Sequence, residues 1–333
     1  MPREGLQIEL YSLLKDVSRS FYKTLRVLPG KVRPQIGLAY LLARTTDTIA
    51  DTGIVAPEKR LESLGAFRER IVDANKAPLD LGALAKQQGS RAERLLLERC
   101  EESLELLRRT EPFDRKLIQE VLAIITSGQE LDLRRFANSS ASKLTALRTD
   151  EELDDYTYRV AGCVGEFWTR ICRAHLFPNA RLDEPALLKQ AVRFGKGLQL
   201  VNVLRDLPKD LREGRCYLPS EALATRGLEP EVLLEAANER RVRPLYNSYL
   251  DRAHEHLRVG WEYTNSLPRS CIRVRLACAW PILIGLETIR LLRTENFLNA
   301  GQRVKVSRAE VGRIIRRTVL LYPWASAWSR LAE

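Results

Sequence analysis

Two stretches of this sequence set paired aspartates one helical turn apart. Arg33 to Asp51 reads RPQIGLAYLLARTTDTIAD, and Gly195 to Asp210 reads GKGLQLVNVLRDLPKD. On a helix, at about 100° per residue, Tyr40, Arg44, Asp47 and Asp51 share a stripe about 60° wide. Gln199, Asn202, Asp206 and Asp210 likewise fall within about 80°. The residues between them, such as Leu41, Leu42 and Ile49, are apolar. A polar stripe on such a helix suits a cavity better than a dry core, because a buried, unpaired carboxylate is costly. A single D-x-x-x-D is common by chance and reads equally well as a solvated surface pair. Two of them, each sharing a face with amides or an arginine, point to Mg2+ bridging. That ion prefers oxygen ligands and takes one or two carboxylates together with substrate phosphates. Helix bundles build metal sites from facing helices in this way. Arg19, Arg44, Arg205 and Arg215 supply cations for the remaining phosphate charge. Pro208 stands between the last two acids, so the second helix is expected to kink or end there.

The rest of the chain must position these stripes, and it reads as helix. Apolar residues recur at three- and four-residue spacing, as in Leu117, Val121, Ile124 and Ile125, and no run alternates like a strand. Pro29-Gly30 marks a turn before the first stripe. Residues 74–89 and 138–151 read as loops, and Gly214 and Pro219 close the segment carrying the second stripe. No linker rich in Gly, Ser or Pro divides the 333 residues, so residues 1–333 read as one large all-α domain. The apolar run from Leu276 to Leu286 is too short to span a bilayer and reads as a core helix. The N-terminus is charged throughout and shows no signal peptide, and a cytoplasmic protein is expected. Six cysteines without C-x-x-C spacing and three histidines argue against a zinc site or a disulfide framework. The formal charge of +11 calls for an anionic partner: a phosphorylated substrate, an anionic membrane face or nucleic acid. Nucleic acid is the poorest fit. The arginines form no dense run with interleaved aromatics, and the four aspartates would repel phosphate without a metal.

Several segments resemble the squalene/phytoene synthase family. VSRSFYKTLRVLP at 17–29, followed by AYLLARTTDTIAD at 39–51, resembles its first signature, and the form DTIAD is closer to squalene synthases. YTYRVAGCVGEFW at 156–168 resembles the Y-x-x-x-V-A-G-x-V-G segment, and QLVNVLRDLPKDLREGRCYLP at 199–219 resembles the second aspartate motif. CAWP at 278–281 and GQRVKVSR at 301–308 are looser echoes. The resemblance runs along nearly the whole chain.

It implies an isoprenoid-synthase-type helical bundle with a central cavity. The implied reaction joins two farnesyl diphosphates head-to-head into presqualene diphosphate and, in squalene synthases, reduces it to squalene with NADPH. Asp47, Asp51, Asp206 and Asp210 would hold Mg2+. Arg19, Arg44, Arg205 and Arg215 would hold diphosphate, with some of them touching NADPH beside Lys305 and Arg308. Tyr156 sits at the mechanistic tyrosine. Phe21, Tyr40, Val160, Gln199 and Asn202 are expected against substrate, with Phe167 a further wall candidate. The small residues Val160, Ala161, Gly162, Val164 and Gly165 suit either a prenyl chain lying close to the backbone or tight helix packing.

Some positions depart from the family pattern. Ala50 and Thr52 are neutral where squalene synthases often carry an extra acid, and Ser307 stands where the family more often has a cation. The nearest alternative therefore keeps the fold and yields phytoene, dehydrosqualene, presqualene diphosphate or hydroxysqualene without NADPH. The tail VLLYPWASAWSRLAE is amphipathic and suits either a membrane surface or packing on the bundle. A monomer is consistent with these features.

Overall fold

The spacing of apolar residues resolves into helices almost throughout the computed structural model, which describes residues 13–18, 21–73, 75–140, 142–301 and 303–332. These residues form two compact units. Residues 1–134 and 170–178 make the first, and residues 135–169 and 179–333 make the second.

The first unit contains α1 (Phe21–Val27), α2 (Arg33–Asp51), α3 (Pro57–Val72), α4 (Gly82–Lys86), α5 (Arg91–Glu98), α6 (Cys100–Arg109) and nearly all of α7 (Pro112–Arg135). Prolines open α2 and α3, where a missing N–H costs nothing. Helix α2 buries Ile36, Leu38, Leu41, Leu42 and Ile49 and packs on α3, α5 and α6. Its polar stripe is left to the other side. The segment 74–89, expected as loop, carries α4, whose Leu84 and Ala85 are buried. A five-residue helix is too short to show its period in sequence.

The second unit is organised on α10 (Glu184–Arg212). Around it lie α8 (Asp150–Thr157), a π turn (Tyr158–Gly162), the first half of α9 (Cys163–Leu176), α11 (Ser220–Ala224), α12 (Glu239–Ser266), α13 (Ile272–Thr294), α14 (Arg308–Leu321) and α15 (Ala325–Ser329). Asp183 caps α10 by accepting from the Ala186 N–H at 3.1 Å. The helix packs mainly on α12, on the π turn and on α13.

Of the kink or stop expected at Pro208 the stop does not occur, and α10 continues to Arg212. Its stop is Gly214, at φ +83°, where a Cβ would lie 2.4 Å from the Ser140 nitrogen. The 138–151 loop is also more ordered than expected. Thr145–Ala146 (β1) pairs in parallel with Arg215–Cys216 (β2), and Leu147 is fully buried. Two-residue strands carry no alternation for a sequence to display.

The small residues at 161–165 serve packing. A Cβ on Gly165 would lie 2.1 Å from the Ala191 carbonyl oxygen, and one on Gly195 2.2 Å from that of Ala161. At Gly165 and Gly195 the π turn and α9 thus meet α10 backbone to backbone, in keeping with the tight-packing alternative for these glycines. Val160 is half-buried within the π turn.

The run 276–286 lies in α13, largely buried, as expected of a core helix. No helix among the described residues is long and apolar enough to cross a membrane. The tail packs on its own unit. Trp328, 3% exposed, stacks on Trp261 at 5.2 Å and donates to Asn265 Oδ1 at 2.7 Å. Buried Arg275 lies against both Tyr322 and Trp328. None of the six cysteines is in a disulfide.

The backbone contact makes Gly165→Val and Gly195→Val destabilising by about 1–3 kcal/mol or more, because the carbonyls opposite cannot yield as a flexible side chain does. The measurement is the urea midpoint, with the slope unchanged. A midpoint equal to that of the parent protein would contradict the close approach.

Candidate active site

In the first unit the expected stripe forms on α2. The Asp47 carboxyl keeps 44% of its surface open. Gln129 on α7 donates to Asp47 Oδ1 at 2.5 Å. Surrounding protein, and then the charge of Asp51, push the Asp47 pKa up to about 6, against the opposing pull of Arg44 and Gln129. Asp51 is exposed in the last turn of α2, which contains no basic residue of its own; from α3, Arg60 donates to the Ala50 carbonyl at 2.6 Å. Both acids therefore sit where a cation is favoured. Arg44 donates to Glu93 Oε1 at 2.6 Å and lies 3.8 Å from Asp47 Oδ2, so its charge is already shared between two acids. Phe21 and Tyr40 stack at 4.9 Å between ring centroids. Arg19 lies outside the described residues.

In the second unit α10 presents Gln199, Asn202, Asp206 and Asp210. Gln199 donates to the Tyr156 hydroxyl at 3.3 Å and accepts from Asn202 at 3.5 Å. The Tyr156 ring stacks on Tyr217 at 4.6 Å, and Tyr217 meets Phe136 edge-on at 5.4 Å. The β1–β2 ladder fixes the backbone on which Arg215 and Tyr217 stand.

The two acids here differ in environment. Burial alone would raise Asp206, but Arg205 at 2.7 Å and Arg303 at 3.0 Å outweigh it and hold the carboxyl below its usual range. Asp210 is 13% exposed, and burial raises its pKa to about 6 although Arg215 lies 3.2 Å away. Arg215 divides its charge between Asp210 and Glu213.

The structure thus gathers Tyr40, Arg44, Asp47 and Asp51 in one unit, and Tyr156, Gln199, Asn202, Arg205, Asp206, Asp210 and Arg215 in the other. Phe167 is buried, with 6% exposure. Lys305 and Arg308 are exposed. From their segment it is Arg303 that reaches Asp206, a residue sequence reasoning passed over within GQRVKVSR. Gln129 was also missed, although a buried amide at the end of the apolar run of α7 was its signal. Glu93 carried no signal, being one charge among many on α5. Tyr217 could have been found as the aromatic that closes the second motif.

Comparison with known proteins bears on this arrangement. A family profile described as squalene/phytoene synthase matches residues 14–310. The chain is 27% identical to a 15-cis-phytoene synthase of Synechocystis sp. over 84% of its own length and 74% of the relative's. It is 26% identical to a squalene synthase of Saccharomyces cerevisiae over 86% of its length and 61% of that protein's. It spans less than half the length of several other curated relatives that it matches. A solved structure of TcSQS with a bound ligand superimposes with a TM-score of 0.78 at 23% identity, over 95% of this chain and 86% of that one, a likeness of fold. The chain belongs to the squalene/phytoene synthase family, a family of head-to-head isoprenoid synthases of the prenyltransferase type.

Proposed function

We propose that this chain is a Mg2+-dependent enzyme that joins two farnesyl diphosphates through presqualene diphosphate and reduces the product to squalene with NADPH. The observation that carries this reading is geometric: α2 and α10 each set two aspartates one helical turn apart with an arginine beside them. Each motif holds one carboxyl, Asp47 or Asp210, at a pKa of about 6, one helical turn from a second aspartate. A divalent cation relieves that strain, and the donors fit Mg2+. They are oxygens, two carboxylates to a motif, and the buried Gln129 Oε1 has no hydrogen-bond partner. Among the described residues no three His, Cys, Asp or Glu are grouped as a metal site, and Mg2+ usually takes only one or two carboxylates together with substrate phosphates. Asp47, Asp51, Asp206 and Asp210 would hold Mg2+, which supplies Lewis-acid stabilisation of a leaving diphosphate.

The chain's own groups supply the rest. A guanidinium carries five N–H donors in a fork that matches phosphate oxygens, and Arg44, Arg205 and Arg215 would hold the diphosphates beside the acids. The Tyr156 hydroxyl, which accepts from Gln199, would exchange a proton. Its ring, backed by buried Tyr217, would present a π face to an allylic cation, as would Phe21 or Tyr40. Val160 and Asn202 would complete the substrate contacts. Lys305 and Arg308 would meet the phosphates of NADPH, the source of hydride.

A second reading keeps the condensation and omits the reduction, giving phytoene, dehydrosqualene, presqualene diphosphate or hydroxysqualene. It is favoured by the near-equal identities to a phytoene synthase, 27%, and a squalene synthase, 26%, and by Ser307 where a cation is more usual.

The test is incubation of the protein with farnesyl diphosphate and Mg2+, with and without NADPH, and mass spectrometry of the extract. Squalene appearing only with NADPH is expected. Unreduced products in its presence would select the second reading, and failure to consume farnesyl diphosphate or any longer homologue would reject both.

Asp47→Asn and Asp206→Asn are each expected to slow the first step by about a thousandfold, since a Lewis-acid contact supplies several kcal/mol. Circular dichroism should be unchanged. Tyr156→Phe should still bind substrate yet form no presqualene diphosphate, and full turnover would remove Tyr156 from the mechanism.

The raised carboxyls also fix the sign of a pH effect. Asp47 and Asp210 must lose a proton to hold a cation. Their folded pKa lies above the unfolded value, so the stability they contribute to the metal-free protein is present at low pH and lost as pH rises through about 6. Mg2+ affinity should run the other way, weakening below pH 6 by up to about tenfold per pH unit for each carboxylate. Calorimetric titration across that range checks it, and a flat profile would contradict the assignment.

A further inference from the structure

Helix α10 passes through Pro208 without ending, although a proline there costs a helix about 3 kcal/mol. Pro208 has no N–H, so the Leu204 carbonyl, four residues earlier, lacks its usual helical donor. The Tyr246 hydroxyl on α12 donates to Leu204 O at 3.0 Å. Tyr246 is fully buried, and burial drives its pKa far upward, which keeps the hydroxyl protonated and able to donate.

Its ring has a second engagement. It lies flat on Phe297, with centroids 3.6 Å apart and planes at 7°. Arg243 covers Phe297 and donates to the carbonyls of Leu292 and Glu295 at 2.7 and 2.6 Å. Phe297 begins the segment that ends in Arg303, whose guanidinium reaches Asp206. One side chain therefore touches both the helix that carries Asp206 and Asp210 and the segment that delivers a cation to Asp206.

We propose that Tyr246 is a positioning residue for the second aspartate motif. Its hydroxyl takes the place of the N–H that Pro208 lacks and holds the turn bearing Asp206 and Asp210 in register, while its ring anchors the approach of Arg303. This rests on the reading of that motif as a Mg2+–diphosphate site.

The test is a double-mutant cycle of Tyr246→Phe and Pro208→Ala with two readouts. The first is hydrogen exchange of the amides at 205–212. Tyr246→Phe should raise exchange there about tenfold, the weight of one buried hydrogen bond. In the Pro208→Ala background, where the restored N–H serves Leu204, it should have little effect. The second is calorimetric binding of farnesyl thiodiphosphate with Mg2+, which needs no turnover. Tyr246→Phe should weaken it about five- to tenfold, and Pro208→Ala should rescue it.

Equal exchange effects in both backgrounds would overturn the proposal. So would exchange that changes while Mg2+-dependent binding does not, since that describes a brace without a role at the motif. If the parent protein bound no Mg2+–diphosphate while the exchange coupling held, the functional reading itself would have failed, and the positioning role with it.

Discussion

Carboxylates crowded in a medium poorer than water must be neutralised, and this constraint governs both acidic motifs. A charge within protein is expensive unless it is paired, and the chain meets the cost differently at each acid. Asp206 has two arginines and stays ionised. Asp210 has one, shared with Glu213, and Asp47 has an amide and a distant share of Arg44, so both retain an affinity for protons. Carboxyls with strongly raised pKa values cluster at functional sites, where burial and like charges are arranged to shift them. Here the deficit has the sign and the oxygen chemistry that a hard divalent cation makes good.

Helix α10 has to run unbroken to carry Gln199, Asn202, Asp206 and Asp210 at helical spacing, and several local devices in the second unit serve that end. Gly165 and Gly195 let the π turn and α9 approach its backbone. The π turn absorbs one residue out of α-helical phase at the point of contact, beside Tyr156. Gly214 ends the helix with a left-handed residue that no other side chain fits there, and the two-residue ladder that follows holds Arg215 and Tyr217 in place. Stability and function are written into the same residues in this unit.

The C-terminal tail shows how an amphipathic pattern can mislead. Its aromatics suit a membrane surface as well as a protein surface in sequence. In the structure Trp328 is spent on Trp261 and Asn265, and with Tyr322 it shelters the buried Arg275. Trp324, by contrast, remains 62% exposed.

The sequence by itself determined the all-α class, the two aspartate stripes, the tyrosine ahead of the V-A-G segment and the family. Each of these is periodic or local: a helix repeats every 3.6 residues, so spacing alone places side chains on a face. Tertiary structure alone decided what those faces meet. The partners Gln129 and Glu93, the arrival of Arg303 in place of Lys305 or Arg308, and the continuation of α10 through Pro208 depend on residues far apart in the chain. In particular, the donor that serves the carbonyl orphaned by Pro208 is a hydroxyl from another helix. Spacing along one helix holds no information about that, since the donor, Tyr246, comes from another.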